Sequence, residues 1–305
     1  MREKILINDV GPRDGLQNQS RVLTVAQRVQ LIQALLNAGV RSVEAGAFVS
    51  PKAVPAMAGT DEVLAGLPAD TGADFQVLIP NLKGYQLARS SGANTVVLVV
   101  CASETMNQRN VRMSVDESLV QAREICAAAR VDGVRVVACI AVAWRCPFEG
   151  ATDPVRVLDL AGRLFAMGAD DVNIADTIGA ANPMAVARLM GELAREYSAD
   201  RLACHFHDTR AFGVANVYAA VEAGIRKFDS AIGGIGGCPF APGATGNVAS
   251  EDVVMLLEQM GFDTGIDLPA LMAAGQLVGD MLGIAAGGRA YAWRRLQLEK
   301  QVPII

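Results

Sequence analysis

The feature that most constrains this chain is an eightfold alternation of short apolar runs and longer amphipathic stretches. Strand-like runs fall at Ile5–Val10, Ser42–Ala45, Phe75–Ile79, Thr95–Val100, Arg135–Ala141, Asp171–Ala175, Leu202–His205 and Phe228–Ile232. Between them the apolar residues recur at helical spacing. Those stretches are Thr24–Asn37, Ala53–Ala65, Leu82–Ser91, Ser114–Val131, Pro154–Met167, Pro183–Tyr197 and Val214–Ala223, with Ser250–Met260 after the last strand. Thr24 is placed to cap the first helix, and Gly39 lies just past its end. Parallel strands covered on both faces read as unbroken apolar runs, and Thr95–Val100 reads that way. The simplest closure of eight such units is an α/β fold of the TIM (β/α)8 barrel type. An open doubly wound sheet is the alternative, but no GxGxxG follows the first strand. Leu268–Leu282 predicts one further helix, and the tail from Ala285 looks less regular. The expected division is a barrel over residues 1–265 and a C-terminal helical extension over 266–305, packed on the barrel.

A barrel gathers its chemistry at the C-terminal ends of its strands. Arg13 and Asp14 follow the first strand, Glu44 ends the second, and Asp176 follows the sixth. His205 and His207 end the seventh, and Cys238 and Asn247 lie in the loop after the eighth. Residues scattered along the sequence therefore fall on one rim. His205 and His207 are the chain's two histidines, and at i and i+2 on a strand they face the same way. Converging imidazoles suggest a divalent metal, although two polar residues at a strand end would share the spacing. Asp14 offers an oxygen that suits Mg²⁺ or Mn²⁺, or else serves only the turn at Gly15. Residues 233–247 hold six Gly and two Pro, which suits close backbone approach to a ligand or a lid. In that loop Cys238 is either a proton donor or acceptor or an incidental thiol, and Asn247 either binds metal or caps the next helix.

Composition narrows the class of partner. The net charge of −5 argues against nucleic acid, which requires a basic face. No apolar run approaches the ~18 residues of a membrane-spanning helix, and nothing at Met1–Val10 reads as a signal peptide. The six cysteines have neither paired nor zinc-ribbon spacing, and several lie in apolar runs, as in a reducing cytoplasm. A cytoplasmic homo-oligomer, with a dimer the simplest form, is the expectation.

Several segments resemble 3-hydroxy-3-methylglutaryl-CoA (HMG-CoA) lyases, a family of DRE-TIM metallolyases. They are Val10-Gly11-Pro12-Arg13-Asp14-Gly15-Leu16-Gln17-Asn18, Phe48-Val49-Ser50-Pro51-Lys52, Pro80-Asn81-Leu82-Lys83-Gly84, Cys146-Pro147-Phe148-Glu149-Gly150, Asp176-Thr177-Ile178-Gly179 and His205-Phe206-His207-Asp208-Thr209. Gly236-Gly237-Cys238-Pro239-Phe240 through Gly246-Asn247 is similar to that family's catalytic-cysteine loop. The motifs keep the family's order from about Ile5 to Gly265. The resemblance implies a metal-dependent acyl-CoA lyase. Asp14, His205, His207 and Asn247 would hold Mg²⁺ or Mn²⁺, and Arg13 would contact the substrate carbonyl. Cys238 would be the catalytic thiol, Asp14 or His205 would relay the hydroxyl proton, and Glu44 and Asp176 would belong to the surrounding polar network. HMG-CoA cleavage to acetoacetate and acetyl-CoA, in a leucine-degradation setting, is the implied activity. Asn81, Lys83 and Arg109 are candidates for the CoA phosphates at the rim.

The chain departs from the family pattern at Ala47, Trp144-Arg145, Asn173, Ala175 and Arg210-Ala211. If these line the acyl pocket, Asn173 and Ala175 shrink it and favour a shorter substrate such as citramalyl-CoA. Isopropylmalate and homocitrate synthases use a similar barrel in the condensing direction, but without the Cys-Pro-Phe loop. A non-catalytic CoA-ester-binding barrel would be expected to lose Asp14, His205, His207, Cys238 or Asn247, and all five are present.

Overall fold

The computed structural model of the chain describes residues 2–237 and 246–300. Eight parallel strands close into a barrel: β1 (Leu6–Asp9), β2 (Ser42–Ala47), β3 (Asp74–Leu78), β4 (Thr95–Cys101), β5 (Arg135–Ala141), β6 (Asp171–Asp176), β7 (Leu202–Phe206) and β8 (Lys227–Ser230). Each strand pairs with its neighbours in sequence, and β8 returns to β1, with Asn8 aligned on Asp229. The β2–β3 register shifts between Glu44 and Gly46, so β2 carries one extra residue at the level of Glu44.

Around the barrel lie α1 (Val25–Asn37), α2 (Thr60–Ala65), α3 (Leu82–Ser90), α4 (Glu104–Val111), α5 (Val115–Asp132), α6 (Pro154–Met167), α7 (Pro183–Glu196), α8 (Gly213–Glu222), α9 (Ser250–Gln259), α10 (Leu268–Leu282) and α11 (Arg289–Glu299). Their starts are chemically marked. Thr24 and Ser114 form complete capping boxes with Gln27 and Glu117. The side chains of Asn81, Ser103, Asp153, Asn182 and Asp267 cap α3, α4, α6, α7 and α10.

The apolar core is the shell between strands and helices. Outward-facing Val43, Val77, Val96, Val172, Phe206 and Phe228 are fully buried there against residues such as Leu31, Ile32 and Leu35 of α1. Truncating one of these leucines to Ala costs about 2–5 kcal/mol. The inside of the barrel is different: Asn8, Ser42, Gln76, Asn173 and Asp229 are buried and linked by hydrogen bonds.

Three local expectations are corrected. The stretch Ala53–Ala65 is mostly a turn: Pro55 opens a single 3-10 turn, Gly59 takes φ +68°, and α2 starts only at Thr60. The tail beyond Ala285 contains a helix, α11, whose first N–H groups at Arg289 and Ala290 donate to the Asp252 carboxylate. A further helix, α4, lies between β4 and α5, where the sequence reading had none. α10 packs against α1 and the turn Ile232–Gly234, and Gly287 N–H donates to the Gly233 carbonyl. The C-terminal residues thus brace the chain leaving β8. Among the described residues no helix is long and apolar enough to cross a membrane.

Candidate metal centre

After β1 the chain makes one π-helical turn, Gly11–Gly15, closed by Gly15 N–H donating to the Val10 carbonyl at 3.1 Å. Such wide turns are rare and recur at functional sites. Both ends of this one need glycine-sized residues: a Cβ on Gly11 would meet Asp9 Oδ1 at 2.7 Å, and one on Gly15 would meet Ile235 Cγ1 at 2.5 Å. The turn holds Arg13 and Asp14 over the barrel mouth. Arg13 Nε donates to Glu44 Oε2 at 2.6 Å, and its Nη1 donates to Asp14 Oδ1 at 2.7 Å. The cation is thereby clamped between two carboxylates.

His205 lies next to the last residue of β7, and His207 follows the strand in a bridge with Asn247. Their ring centroids lie 5.2 Å apart. One ligand atom from each of Asp14, His205 and His207 falls within 4.8 Å of the others. Asn247 is delivered by a backbone clamp: Val248 N–H donates to Phe206, Ala231 N–H to Val248, and Asp208 N–H to Gly246. Asn247 Nδ2 donates to Asp14 Oδ2 at 2.8 Å and to the Ile235 carbonyl at 3.2 Å. Its Oδ1 is buried with no hydrogen-bond partner among the described residues. A buried acceptor without a donor is costly unless a ligand satisfies it. Ala249, not Asn247, occupies the N-cap position of α9. The donor set is one carboxylate, two imidazoles and one free amide oxygen, which fits a divalent cation of the Mg²⁺ or Mn²⁺ type.

The local charge agrees. Burial pushes Asp14 up, but Arg13, His205, His207 and the Asn247 bond outweigh it and hold the carboxyl at about 2. Asp14 is therefore ionised at neutral pH. Burial pushes Glu44 up to about 7 against the pull of Arg13, and Glu44 Oε1 has no hydrogen-bond partner among the described residues. Burial lowers His205, but the hydrogen bond and charge of Asp229, with Asp14 behind them, raise it overall.

Other expected site residues fall elsewhere. Asp176 accepts from the backbone N–H groups of Ala180 and Ala181, so its carboxylate shapes its own loop. Cys238 lies outside the described residues. Asn81 caps α3, and Arg109 lies over the Phe148 ring at 4.1 Å. Three of the departures from the family pattern have partners of their own. Trp144 Nε1 donates to the Ala185 carbonyl of α7, and its ring packs on outward-facing Phe206. Arg210 holds the Gly179 carbonyl. Asn173 turns into the barrel and donates to Asp229. Asp229 carries no signal in the sequence, because it stands inside the strand-like run Phe228–Ile232; its Oδ2 lies 3.1 Å from His205 Nδ1.

Known proteins share this arrangement's sequence and fold. The HMGL-like family model matches residues 4–278. The hydroxymethylglutaryl-CoA lyase of Pseudomonas mevalonii is 43% identical over 288 residues, covering 94% of this chain and 96% of its own. The (R)-citramalyl-CoA lyase of Chloroflexus aurantiacus is 44% identical over 291 residues, covering 92% of each. The crystal structure of hydroxymethylglutaryl-CoA lyase from Pseudomonas aeruginosa superposes with a TM-score of 0.94 at 43% identity, covering 97% of this chain and 99% of that one. The matched range spans every barrel strand, and the chain belongs to the HMGL-like family.

Proposed function

We propose that this chain is a divalent-metal-dependent acyl-CoA lyase that cleaves HMG-CoA to acetoacetate and acetyl-CoA. The observation that carries the reading is the meeting of Asp14, His205 and His207 at the barrel mouth, beside the undonated Oδ1 of Asn247. These four residues would hold the cation. Bound there, it would act as a Lewis acid on substrate oxygens.

The remaining roles belong to the chain. The C3 hydroxyl loses its proton to a base, with the ionised Asp14 carboxylate placed to relay it. The C2–C3 bond then breaks, its electron pair stays on C2, and C3 becomes the ketone carbon of acetoacetate. The C2 fragment is the enolate of acetyl-CoA. Arg13, clamped by Glu44 and Asp14, presents a fixed positive charge for the enolate oxygen. Preorganisation matters because the cation need not move as charge develops. Cys238 then protonates C2, a role that rests on the family resemblance. A homodimer in a cytoplasmic leucine-breakdown setting belongs to the same reading.

Citramalyl-CoA is the second reading, favoured by the 44% identity to the Chloroflexus enzyme. Pocket discrimination of one methylene is worth only about 1–3 kcal/mol, so the two substrates need a direct contest. Metal-stripped protein would be given Mn²⁺ and each thioester in parallel, with acetyl-CoA release followed. A higher kcat/KM on HMG-CoA supports the main reading. A higher value on citramalyl-CoA replaces the substrate and keeps the chemistry.

A further inference from the structure

The barrel interior below the centre is crossed by a directional hydrogen-bond chain. Gln76 Nε2 donates to Asp74 Oδ2 and to Ser42 Oγ, each at 3.0 Å. Ser42 Oγ donates to Asn8 Oδ1 at 2.9 Å, and Asn8 Nδ2 donates to Asp229 Oδ1 at 2.8 Å. Asp229 Oδ2 accepts from Asn173 Nδ2 at 2.7 Å and lies 3.1 Å from His205 Nδ1. Side chains of five strands thus converge on one carboxylate, and that carboxylate touches one histidine.

The chemistry of the chain fixes its polarity. The Ser42 hydroxyl spends its one proton on Asn8 Oδ1, so the Asn8 amide nitrogen faces Asp229. Asn173 also presents an amide nitrogen. Asp229 therefore receives donors on both oxygens and acts as an acceptor. The matching His205 tautomer carries its proton on Nδ1 and leaves the Nε2 lone pair for the Asp14 side. A metal-binding histidine needs this division of labour between its two nitrogens.

We infer that Asp229 is a positioning residue that fixes the tautomer and ring orientation of His205, and that Asn173 locks Asp229 in turn. The inference deepens the metal-centre reading and rests on it. It also gives Asn173 a role other than narrowing an acyl pocket. Asn173 is 4% exposed, and its amide is committed to the Asp229 carboxylate.

Two variants and two readouts test it. In Asp229→Asn an NH₂ group replaces one acceptor oxygen and faces existing donors. Asn173→Ser removes one donor and leaves the carboxylate. Mn²⁺ binding would be measured by electron paramagnetic resonance titration of the full chain. Ring ¹⁵N NMR would report the tautomers, with just two histidines to resolve. The expectation is an Nδ1–H signature for His205 in the wild type, lost in D229N. The Mn²⁺ Kd should rise about 10–100-fold in D229N and up to about 10-fold in N173S, with melting temperatures near the wild type. A folded D229N that binds Mn²⁺ as tightly as the wild type would overturn the inference. If D229N does not fold, N173S decides: unchanged Mn²⁺ affinity and an unchanged His205 signature count against it, and a shift in both supports it. A wild type that binds no Mn²⁺, or binds it equally well as His205→Ala, fails differently. That result removes the metal reading beneath the inference.

Discussion

Asn247 Nδ2 donates to Asp14 Oδ2 across 2.8 Å, although 233 residues separate them in the chain. The bond ties the turn after the first strand to the segment after the last, at the point where the barrel closes. It also aims the other amide atom, Oδ1, as a free acceptor. Replacing Asn247 by Ala should remove one ligand and release Asp14. Mn²⁺ affinity is expected to fall at least 10-fold, by analogy with the loss of groups that orient metal ligands. Stability should fall by about 1.5–3 kcal/mol, the worth of a hydrogen bond to a charged group. Titration with Mn²⁺ and urea unfolding check the two effects separately.

Gly236 has φ +140°, and a Cβ there would meet Asn247 Nδ2 at 2.6 Å. Gly236→Ala should push Asn247 away from Asp14 and reproduce the metal phenotype of Asn247→Ala without touching a ligand. Equal Mn²⁺ affinity in Gly236→Ala and the wild type would refute this.

Cys238→Ala should separate chemistry from binding. If the thiol supplies the proton to C2, kcat falls by about 10²–10⁴, and Mn²⁺ affinity stays as in the wild type. Steady-state assays beside the Mn²⁺ titration decide it. Full turnover in the variant would take the thiol out of the mechanism.

Glu251 supports the turn after β8 from below, both carboxylate oxygens accepting from Gly233 N–H. Burial raises its pKa from 4.5 to about 8. The folded state therefore holds the proton more tightly than the unfolded state between those pH values. Its contribution is intact below pH 4.5 and is lost as pH rises toward about 8. Glu251→Gln should match the wild type near pH 4.5 and be more stable at pH 8.5, by up to about 5 kcal/mol at ~1.4 kcal/mol per pH unit. Denaturant unfolding at the two pH values is the check, and a variant less stable at pH 8.5 would contradict the sign.

Much of the architecture was legible because its signals are local. The unbroken run Thr95–Val100 marks a strand covered on both faces, and the capping boxes at Thr24 and Ser114 mark helix starts. The i, i+2 spacing of His205 and His207 brought their rings together at one end of the barrel. Other features depend on contacts between distant segments. Asp229 reads as one polar residue in a short strand, and only the closed barrel sets it under His205. The bond from Asn173 to Asp229 joins residues 56 positions apart and carries no local signal. In the π-helical turn around Asp14, Ile232 and Ile235 leave no room for a side chain at Gly11 and Gly15, which no periodicity reveals.

The most direct test of the account is acetyl-CoA release from HMG-CoA by metal-stripped protein, before and after Mn²⁺ is added, in the wild type and His207→Ala. The account predicts no release without metal, release when Mn²⁺ is restored, and little or none in the variant. Equal release with and without metal, or silence on both HMG-CoA and citramalyl-CoA with Mn²⁺ bound, would contradict it.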